Sequence, residues 1–275
     1  MRLDSVIIRY DEIGLKSAPV RRQFVKVLIR NIRQKLGKNV KVQVLHSRLL
    51  INVKDAVIAA RKIRTVFGIS SVSPALEADN DLDNIKSKSL LFYSAGSFRI
   101  SCQRVDKNFR MTSSEVCREV GAFIAGKTGA KVDLENYDLN ISVELFNNKA
   151  YLFSEKLRGF GGLPAGSEGK VLCIVNDEAG LLSALMMMNR GCYPLITGSK
   201  GWFDKLVKFA PHLALKFYPD YSGIIKWCGA VVKSGRLDAN LFMKDKEVFA
   251  LPVLYPLIGL DKNVVKGKYF SAMSR

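Results

Sequence analysis

The first 70 residues alternate between apolar spacings typical of strands and of helices. The run Val6–Tyr10 favours a strand, because β-branched residues dominate it. Two short apolar runs, Lys41–Leu45 and Leu49–Val53, predict a hairpin, and a helix follows over Asp55 to about Gly68. A further helix is predicted from Pro19 to Leu36, with helically spaced apolar residues at Val20, Phe24, Val27, Leu28 and Ile32. This βαββα order predicts a small ferredoxin-like α+β domain.

A second α+β pattern follows the segment Ser70–Asp83. That segment is rich in turn formers and acids, so it predicts turns and a boundary between domains. Phe98–Cys102 predicts a strand, and Thr112–Glu115 has the form of a capping box that opens a helix. Strands over Ile141–Phe146 and Ala150–Phe153 are predicted to form a hairpin, because two asparagines separate them.

A third pattern begins after the glycine-rich segment Gly159–Gly166. Four glycines and one proline in that segment predict a linker or a flexible strap. A strand over Val171–Val175, a helix over Leu181–Asn189 and a strand over Tyr193–Thr197 then predict the opening of a parallel α/β sheet. We therefore predict three domains: α+β over 1–75, α+β over 76–160 and α/β over 161–275.

The positive charge of the chain is concentrated near its beginning. The 275 residues carry 43 Lys+Arg and 25 Asp+Glu, a net charge of +18. Residues 1–75 account for +12 of this, residues 76–165 for zero and residues 166–275 for +6. A basic module favours a polyanion, since binding phosphates releases counterions; a membrane surface and a merely solvated face are the alternatives. On the predicted helix, a basic stripe within an arc of about 80° is formed by Arg22, Lys26, Arg30 and Arg33.

Several classes of protein are disfavoured. The longest uncharged stretch, Val248–Leu260, has 13 residues and two prolines, whereas a spanning helix needs about 20 apolar residues. We therefore expect no membrane partner and, without a signal-peptide pattern at the N-terminus, a cytoplasmic protein. The five cysteines form no Cys-x-x-Cys pair, and neither histidine has a metal-ligand or nucleophile neighbour, so we predict reduced thiols and no metal site.

Several motifs resemble one family. The stretch Phe98–Tyr151, with Arg104-Val-Asp-Lys107 and the capping box, resembles a THUMP domain, the tRNA-binding module of several modification enzymes. Glu12-Ile-Gly-Leu-Lys16 is similar to the N-terminal ferredoxin-like domain of the tRNA 4-thiouridine synthetase (ThiI) family. Gly161–Leu172 resembles that family's entry to its PP-loop domain, and Pro256–Lys262 resembles a later signature of the same domain.

The resemblance implies tRNA as the partner, recognised through its backbone and shape. It also suggests a homodimer. The side chains that it leads us to predict as phosphate contacts are Lys16, Arg21, Arg22, Lys26, Arg99, Arg104, Lys107, Arg110 and Arg118.

The chain departs from the family at the ATP loop, which there reads Ser-Gly-Gly-x-Asp-Ser. The matching turn here is Asn176-Asp-Glu-Ala-Gly-Leu181, without the glycine pair or the hydroxyls. Asp177 and Glu178 would cap the helix themselves and repel pyrophosphate, so we predict a lost nucleotide site and no cofactor. If ATP and Mg²⁺ are retained, the nucleotide-site positions are Ile174, Val175, Asn176 and Asp177.

A second departure from the family concerns the cysteine that carries the sulfur. Trp227–Ser234 resembles the segment that carries the persulfide cysteine, which makes Cys228 catalytic only if a sulfur carrier is retained. Cys228 precedes the segment Pro256–Lys262, whereas in the family the persulfide cysteine follows the corresponding segment. We therefore favour a buried structural thiol at Cys228. Three functions stay open: a tRNA-binding protein without ATP chemistry, an active tRNA sulfurtransferase completed by a sulfur-donor or catalytic partner protein, and a non-enzymatic RNA-binding adaptor.

Overall fold

The computed structural model describes residues 1–45, 47–105, 109–235 and 249–273. Its strands are β1 (Ser5–Arg9), β2 (Val42–Val44), β3 (Arg48–Asn52), β4 (Ser71–Asp79), β5 (Phe98–Arg104), β6 (Leu139–Phe146), β7 (Lys149–Phe153), β8 (Leu157–Arg158), β9 (Lys170–Val175), β10 (Tyr193–Gly198), β11 (Ala230–Val232) and β12 (Val253–Leu254). Its α-helices are α1 (Ala18–Leu36), α2 (Ala56–Ile63), α3 (Leu82–Leu90), α4 (Ser113–Thr128), α5 (Glu178–Asn189), α6 (Lys200–Phe209) and α7 (Lys262–Met273).

The chain divides into two compact units, each discontinuous in sequence. The first comprises residues 1–8, 41–61 and 72–157, and the second comprises residues 9–40, 62–71 and 158–275. The predicted α+β order followed by a parallel α/β sheet is confirmed. The three domain limits given above stay predictions. No described helix is both long and apolar enough to cross a membrane.

A mixed sheet organises the first unit. Its strands follow the order β2-β3-β1-β4-β7-β6-β5, and β8 pairs with β4. The β6-β7 and β2-β3 pairs are antiparallel hairpins, as predicted, whereas β5 and β6 run parallel. The helix α4 packs on β5, and its residues Val116, Val120 and Ile124 are buried against Phe98 and Ile100. This arrangement places the end of β5 and the start of α4 close to each other.

The helix α4 begins at the predicted capping box. The hydroxyl of Thr112 accepts a hydrogen bond from the Glu115 N–H (3.2 Å), and the Glu115 carboxylate accepts one from the Thr112 N–H (2.7 Å). The Thr112 N–H, and then the Thr112 hydroxyl, which also donates to this carboxylate (2.9 Å), hold the pKa of the Glu115 carboxyl below its usual range. The helix ends at Gly129, which has the left-handed conformation (φ 72°) common after a helix.

The prediction for Ser70–Asp83 is wrong in its local structure. Turns were expected there, but nine residues form β4, a strand inside the sheet. The acids that suggested a connection lie at its end, where the Lys149 ammonium lies 3.6 Å from the Glu77 carboxylate and 2.8 Å from that of Asp79. A cross-strand lysine therefore compensates the charge that disfavours a strand locally.

The second unit contains a four-stranded sheet in the order β10-β9-β11-β12, and all of its registered pairs are parallel. One side of β9 is buried in a core formed with α5, α6 and Tyr269 of α7. The strand sequence Lys170–Val175 is apolar almost throughout, as expected for a parallel strand covered on both faces.

The glycine-rich segment is a hydrogen-bonded part of the second unit rather than a flexible strap. The Gly159 N–H donates to the carbonyl of Ser70 (2.8 Å), and the Gly161 N–H donates to that of Ile69 (2.8 Å). Further along, the Leu163 N–H donates to the carbonyl of Asn189 at the end of α5 (2.8 Å). The glycines therefore permit close backbone approach along this segment.

Candidate nucleic-acid interface

The helix α1 presents the predicted basic stripe. It begins after Ser17 with a proline in its first turn and ends at Gly37. Phe24, Leu28 and Ile32 are buried, whereas Val20, the first of the helically spaced apolar residues, is 37% exposed. All four cations of the stripe are exposed, namely Arg22, Lys26, Arg30 and Arg33. The four guanidinium and ammonium groups therefore lie on one solvent-facing side of the helix.

Two other predicted contacts lie at the N-terminal end of this helix. Lys16 follows the 3₁₀ turn Glu12–Leu15, and its ammonium lies 5.7 Å from the centre of the Phe24 ring. Arg21 is half-buried, and its Nε has no hydrogen-bond partner among the described residues. Both cations lie at the N-terminal end of α1, although Arg21 is less accessible than the stripe.

The predicted contacts of the first unit divide into exposed and engaged side chains. Arg110, in the loop before α4, and Arg118, on α4, are exposed. The Arg104 Nη1 donates to the carbonyls of Phe109 (3.0 Å) and Met111 (2.9 Å), so this guanidinium organises the loop that follows β5. Lys107 lies outside the described residues.

Arg99 combines a cation with an aromatic ring. Its guanidinium carbon lies 4.3 Å from the centre of the Tyr137 ring, and its Nη1 donates to the Leu134 carbonyl (3.3 Å). An arginine placed over a tyrosine ring offers both a charge and an aromatic surface to a nucleic acid. The sequence pointed to Arg99, but nothing in it indicated Tyr137 as its partner.

The predicted nucleotide-site positions follow the carboxyl end of β9. In the strand order, β10 and β11 lie on opposite sides of β9, which makes this the topological switch point where ligands bind in open parallel sheets. Ile174 is half-buried and Val175 is buried, whereas Asn176 and Asp177 are exposed. The Asp177 carboxylate accepts a hydrogen bond from the Gly180 N–H (2.7 Å), so the predicted acidic cap of α5 is present.

Glu178 adds a second carboxylate at the same helix end. Its oxygens lie 2.9 Å from the ammonium of Lys262 and 2.7 Å from that of Lys266. The hydrogen bonds to Lys266 and then Lys262 hold the pKa of the Glu178 carboxyl below its usual range. Sequence analysis missed these lysines, although their spacing of four residues places them on one face of α7. The N-terminal turn of α5 thus carries carboxylates of its own chain where a phosphate would bind.

The candidate sulfur carrier is buried. Cys228 is 7% exposed, follows the 3₁₀ turn Ile225–Trp227, and its thiol lies 3.8 Å from the Ile224 carbonyl. Burial raises the pKa of this thiol, an effect that nearby Lys170 opposes. The geometry agrees with the predicted structural thiol, because a persulfide carrier needs an accessible thiolate.

Comparisons with known proteins place these features in context. A model of the ThiI ferredoxin-like domain matches residues 5–73, and a model of the THUMP domain matches residues 86–155. A probable tRNA sulfurtransferase of Methanocaldococcus jannaschii is 40% identical over 94% of this chain and 85% of its own length. Another, of Thermococcus kodakarensis, is 38% identical over 68% of this chain and 52% of its own length. The chain thus spans about half the length of the second relative.

Two solved structures are also similar. The crystal structure of PH1313 from Pyrococcus horikoshii matches with a TM-score of 0.84 and 31% identity, over 97% of this chain and 98% of that one. A 4-thiouridine synthetase–RNA complex with bound ATP matches with a TM-score of 0.79 and 22% identity, over 98% of this chain and 85% of that one. At that identity the second likeness concerns the fold alone.

Proposed function

The chain belongs to the tRNA sulfurtransferase family, and on that premise we propose that it binds tRNA and has lost the family's ATP-dependent chemistry. The observation that carries the first part is the exposed basic stripe of α1 within a chain that also contains a THUMP domain. The observation that carries the second part is the pair of carboxylates at the N-terminus of α5.

The chemistry of the exposed cations suits a structured RNA. The stripe on α1 and the arginines around α4 offer charged donors to phosphate oxygens. Such contacts position a duplex without reading its sequence, as expected for recognition of A-form RNA by shape and phosphate. We propose Arg22 and Lys26 of α1, with Arg110 and Arg118 of the THUMP domain, as the strongest contacts, because all four are exposed.

Filter binding of tRNA across a salt series tests this proposal. We expect the affinity to fall steeply with salt, because each phosphate contact releases counterions. The double variant Arg22→Ala/Lys26→Ala should weaken binding and reduce the slope of log affinity against log salt by about two. The matched control is Lys205→Ala/Lys208→Ala, which removes the same charge from an exposed part of α6. An affinity that is independent of salt would contradict the proposal.

The loss of ATP chemistry has its own support. A phosphate loop needs free N–H groups and small residues at a helix N-terminus. Here Asp177 uses the Gly180 N–H, and Glu178 adds a carboxylate that is held by two lysines. We propose that the chain needs no cofactor. Calorimetric titration with ATP and Mg²⁺ should give no heat of binding, and a saturable heat would argue for retained nucleotide chemistry.

An active sulfurtransferase is the second candidate, favoured by the names of the relatives. A sulfur-donor or catalytic partner subunit would then supply the nucleotide site that we propose this chain has lost. ATP-dependent thiolation of tRNA by the purified chain, lost in Cys228→Ser, would establish it.

A non-enzymatic adaptor is the third candidate. It would also bind tRNA but would have no ATP affinity, so the calorimetric titration separates it from the sulfurtransferase. Light scattering tests the homodimer that the resemblance suggests.

A further inference from the structure

Trp227 carries an exposed indole on a hydrogen-bonded stretch of backbone. Its side chain is 56% exposed at the end of the 3₁₀ turn Ile225–Trp227. The chain's other tryptophan, Trp202, is partly buried and packs against the core around α5 and α6. A single exposed aromatic ring is common on protein surfaces, so the surroundings of Trp227 decide what the ring can bind.

The backbone on both sides of Trp227 is anchored. The Trp227 N–H donates to the Ile224 carbonyl (3.0 Å). The next residue, Cys228, is buried, and the Gly229 N–H donates to the carbonyl of Lys170 at the start of β9 (2.9 Å). The backbone that carries the ring is therefore anchored where β9 and β11 begin, and little backbone ordering is needed when a partner binds.

Two ammonium groups surround the ring. The Nζ of Lys170 lies 5.9 Å from the ring centre, and the Nζ of Lys226 lies 5.7 Å from it. Both lysines are exposed. An aromatic face flanked by lysines has the composition of sites that stack unpaired bases, where the ring contacts the base and the cations contact the neighbouring phosphates. A second protein surface would have to bury or neutralise these two charges.

We propose that Trp227, Lys170 and Lys226 form a stacking platform for one unpaired base of an RNA strand. The inference rests on the proposed RNA-binding function and adds a site that recognises single-stranded nucleotides. Because every base has a π face, the platform tolerates any sequence. Stacking on one ring corresponds to about a tenfold or larger gain in affinity for a single strand.

Intrinsic fluorescence tests the platform directly. The full chain has two tryptophans, so Trp202→Phe leaves Trp227 as the sole indole emitter. The probe is a single-stranded uridine oligomer of about ten nucleotides, compared with an RNA duplex of the same length. We expect saturable quenching by the single strand, weakened by salt, and much less quenching by the duplex. In the otherwise unchanged chain, Trp227→Leu should lower affinity for the oligomer about tenfold, whereas Trp227→Tyr should keep most of it.

The outcomes separate this inference from the proposed function. If the Trp202→Phe protein binds tRNA in the filter assay but the oligomer leaves its fluorescence unchanged, the platform is rejected and tRNA binding stands. If neither RNA binds at any salt concentration, both proposals are rejected. Quenching that follows protein concentration in the absence of RNA would assign Trp227 to contacts between copies and would also reject the platform. An unchanged thermal midpoint in Trp227→Leu ensures that the loss of affinity does not reflect unfolding.

Discussion

The Glu178 carboxylate lies 2.7 Å from the Lys266 ammonium, and this pair joins the N-terminus of α5 to α7. Lys262 binds the same carboxylate at 2.9 Å. The carboxylate at this helix end is therefore held in place by two cations. Glu178 and Lys266 are 88 residues apart in sequence, so no local sequence pattern predicts their contact.

Removing one lysine should change the titration of this carboxylate. In Lys266→Ala we expect the pKa of Glu178 to rise toward its usual value, because its strongest hydrogen bond is lost. Lys262→Ala should raise it less, since Lys262 is the smaller cause. NMR titration of the glutamate side-chain carboxyl carbons measures both shifts. An unchanged pKa in Lys266→Ala would mean that the ion pair does not persist in solution.

Two neighbouring glycines allow a matched test of the glycine-rich segment. Gly161 and Gly162 both have positive φ (68° and 74°), so alanine at either position costs about 1 to 2 kcal/mol in backbone strain. A Cβ on Gly161 meets nothing nearby, whereas one on Gly162 would overlap the carbonyl oxygen of Asn189. Gly162→Ala should therefore lower the free energy of unfolding clearly more than Gly161→Ala does. Urea denaturation of both variants measures the difference, and equal losses would contradict the packed segment.

How much of this structure the sequence predicts depends on how far apart in sequence the interacting residues lie. The Thr112 capping box and the Asp177 cap were predicted correctly, because each is complete within four residues. The strand β4 was missed, because Lys149 compensates Asp79 from 70 residues away. Composition predicted a flexible segment at Gly159–Gly166, but its hydrogen-bond partners include the Gly191 carbonyl, 25 residues away, and the Asn31 side chain, 134 residues away.

The candidate nucleic-acid interface shows the same difference between features that a local pattern predicts and features that depend on the fold. The exposed stripe on α1 was predictable from helical spacing alone. The contact between Arg99 and Tyr137 joins β5 to the segment just before β6 and depends on how these strands pair. The Arg104 guanidinium binds carbonyls of an irregular loop, which no periodic pattern predicts. Residue type therefore indicated which side chains can bind a phosphate, and the fold determined which of them are already occupied.

His212 should make stability depend on pH. It is 7% exposed, and burial, with a smaller effect of Lys35, lowers its pKa to about 4. The folded state then binds fewer protons than the unfolded state between about pH 6.5 and 4, so stability falls as pH falls through that window. The loss amounts to about 3 kcal/mol at most, and it is complete near pH 4.

The variant His212→Phe isolates this effect from the titration of carboxylates. Neither ring nitrogen of His212 has a hydrogen-bond partner among the described residues, so an aromatic ring of similar shape should be tolerated at pH 7. Urea unfolding at pH 7 and pH 4.5 should show the wild type losing more stability than the variant. Parallel pH dependences would show that the pKa of His212 does not differ between the folded and unfolded states.

Arg104 and Arg110 should differ in what their loss does to RNA binding. Arg110→Ala removes an exposed cation, so tRNA affinity should fall and the salt slope should decrease by about one, with an unchanged thermal midpoint. Arg104→Ala also removes two charged hydrogen bonds to the loop carbonyls of Phe109 and Met111, so the thermal midpoint should fall as well. Arg104→Lys keeps the charge but loses the planar guanidinium whose Nη1 donates to both carbonyls, so it should leave the midpoint low. Filter binding and thermal unfolding of the three variants give both quantities, and a midpoint in Arg104→Ala equal to that in Arg110→Ala would show that Arg104 does not organise the loop.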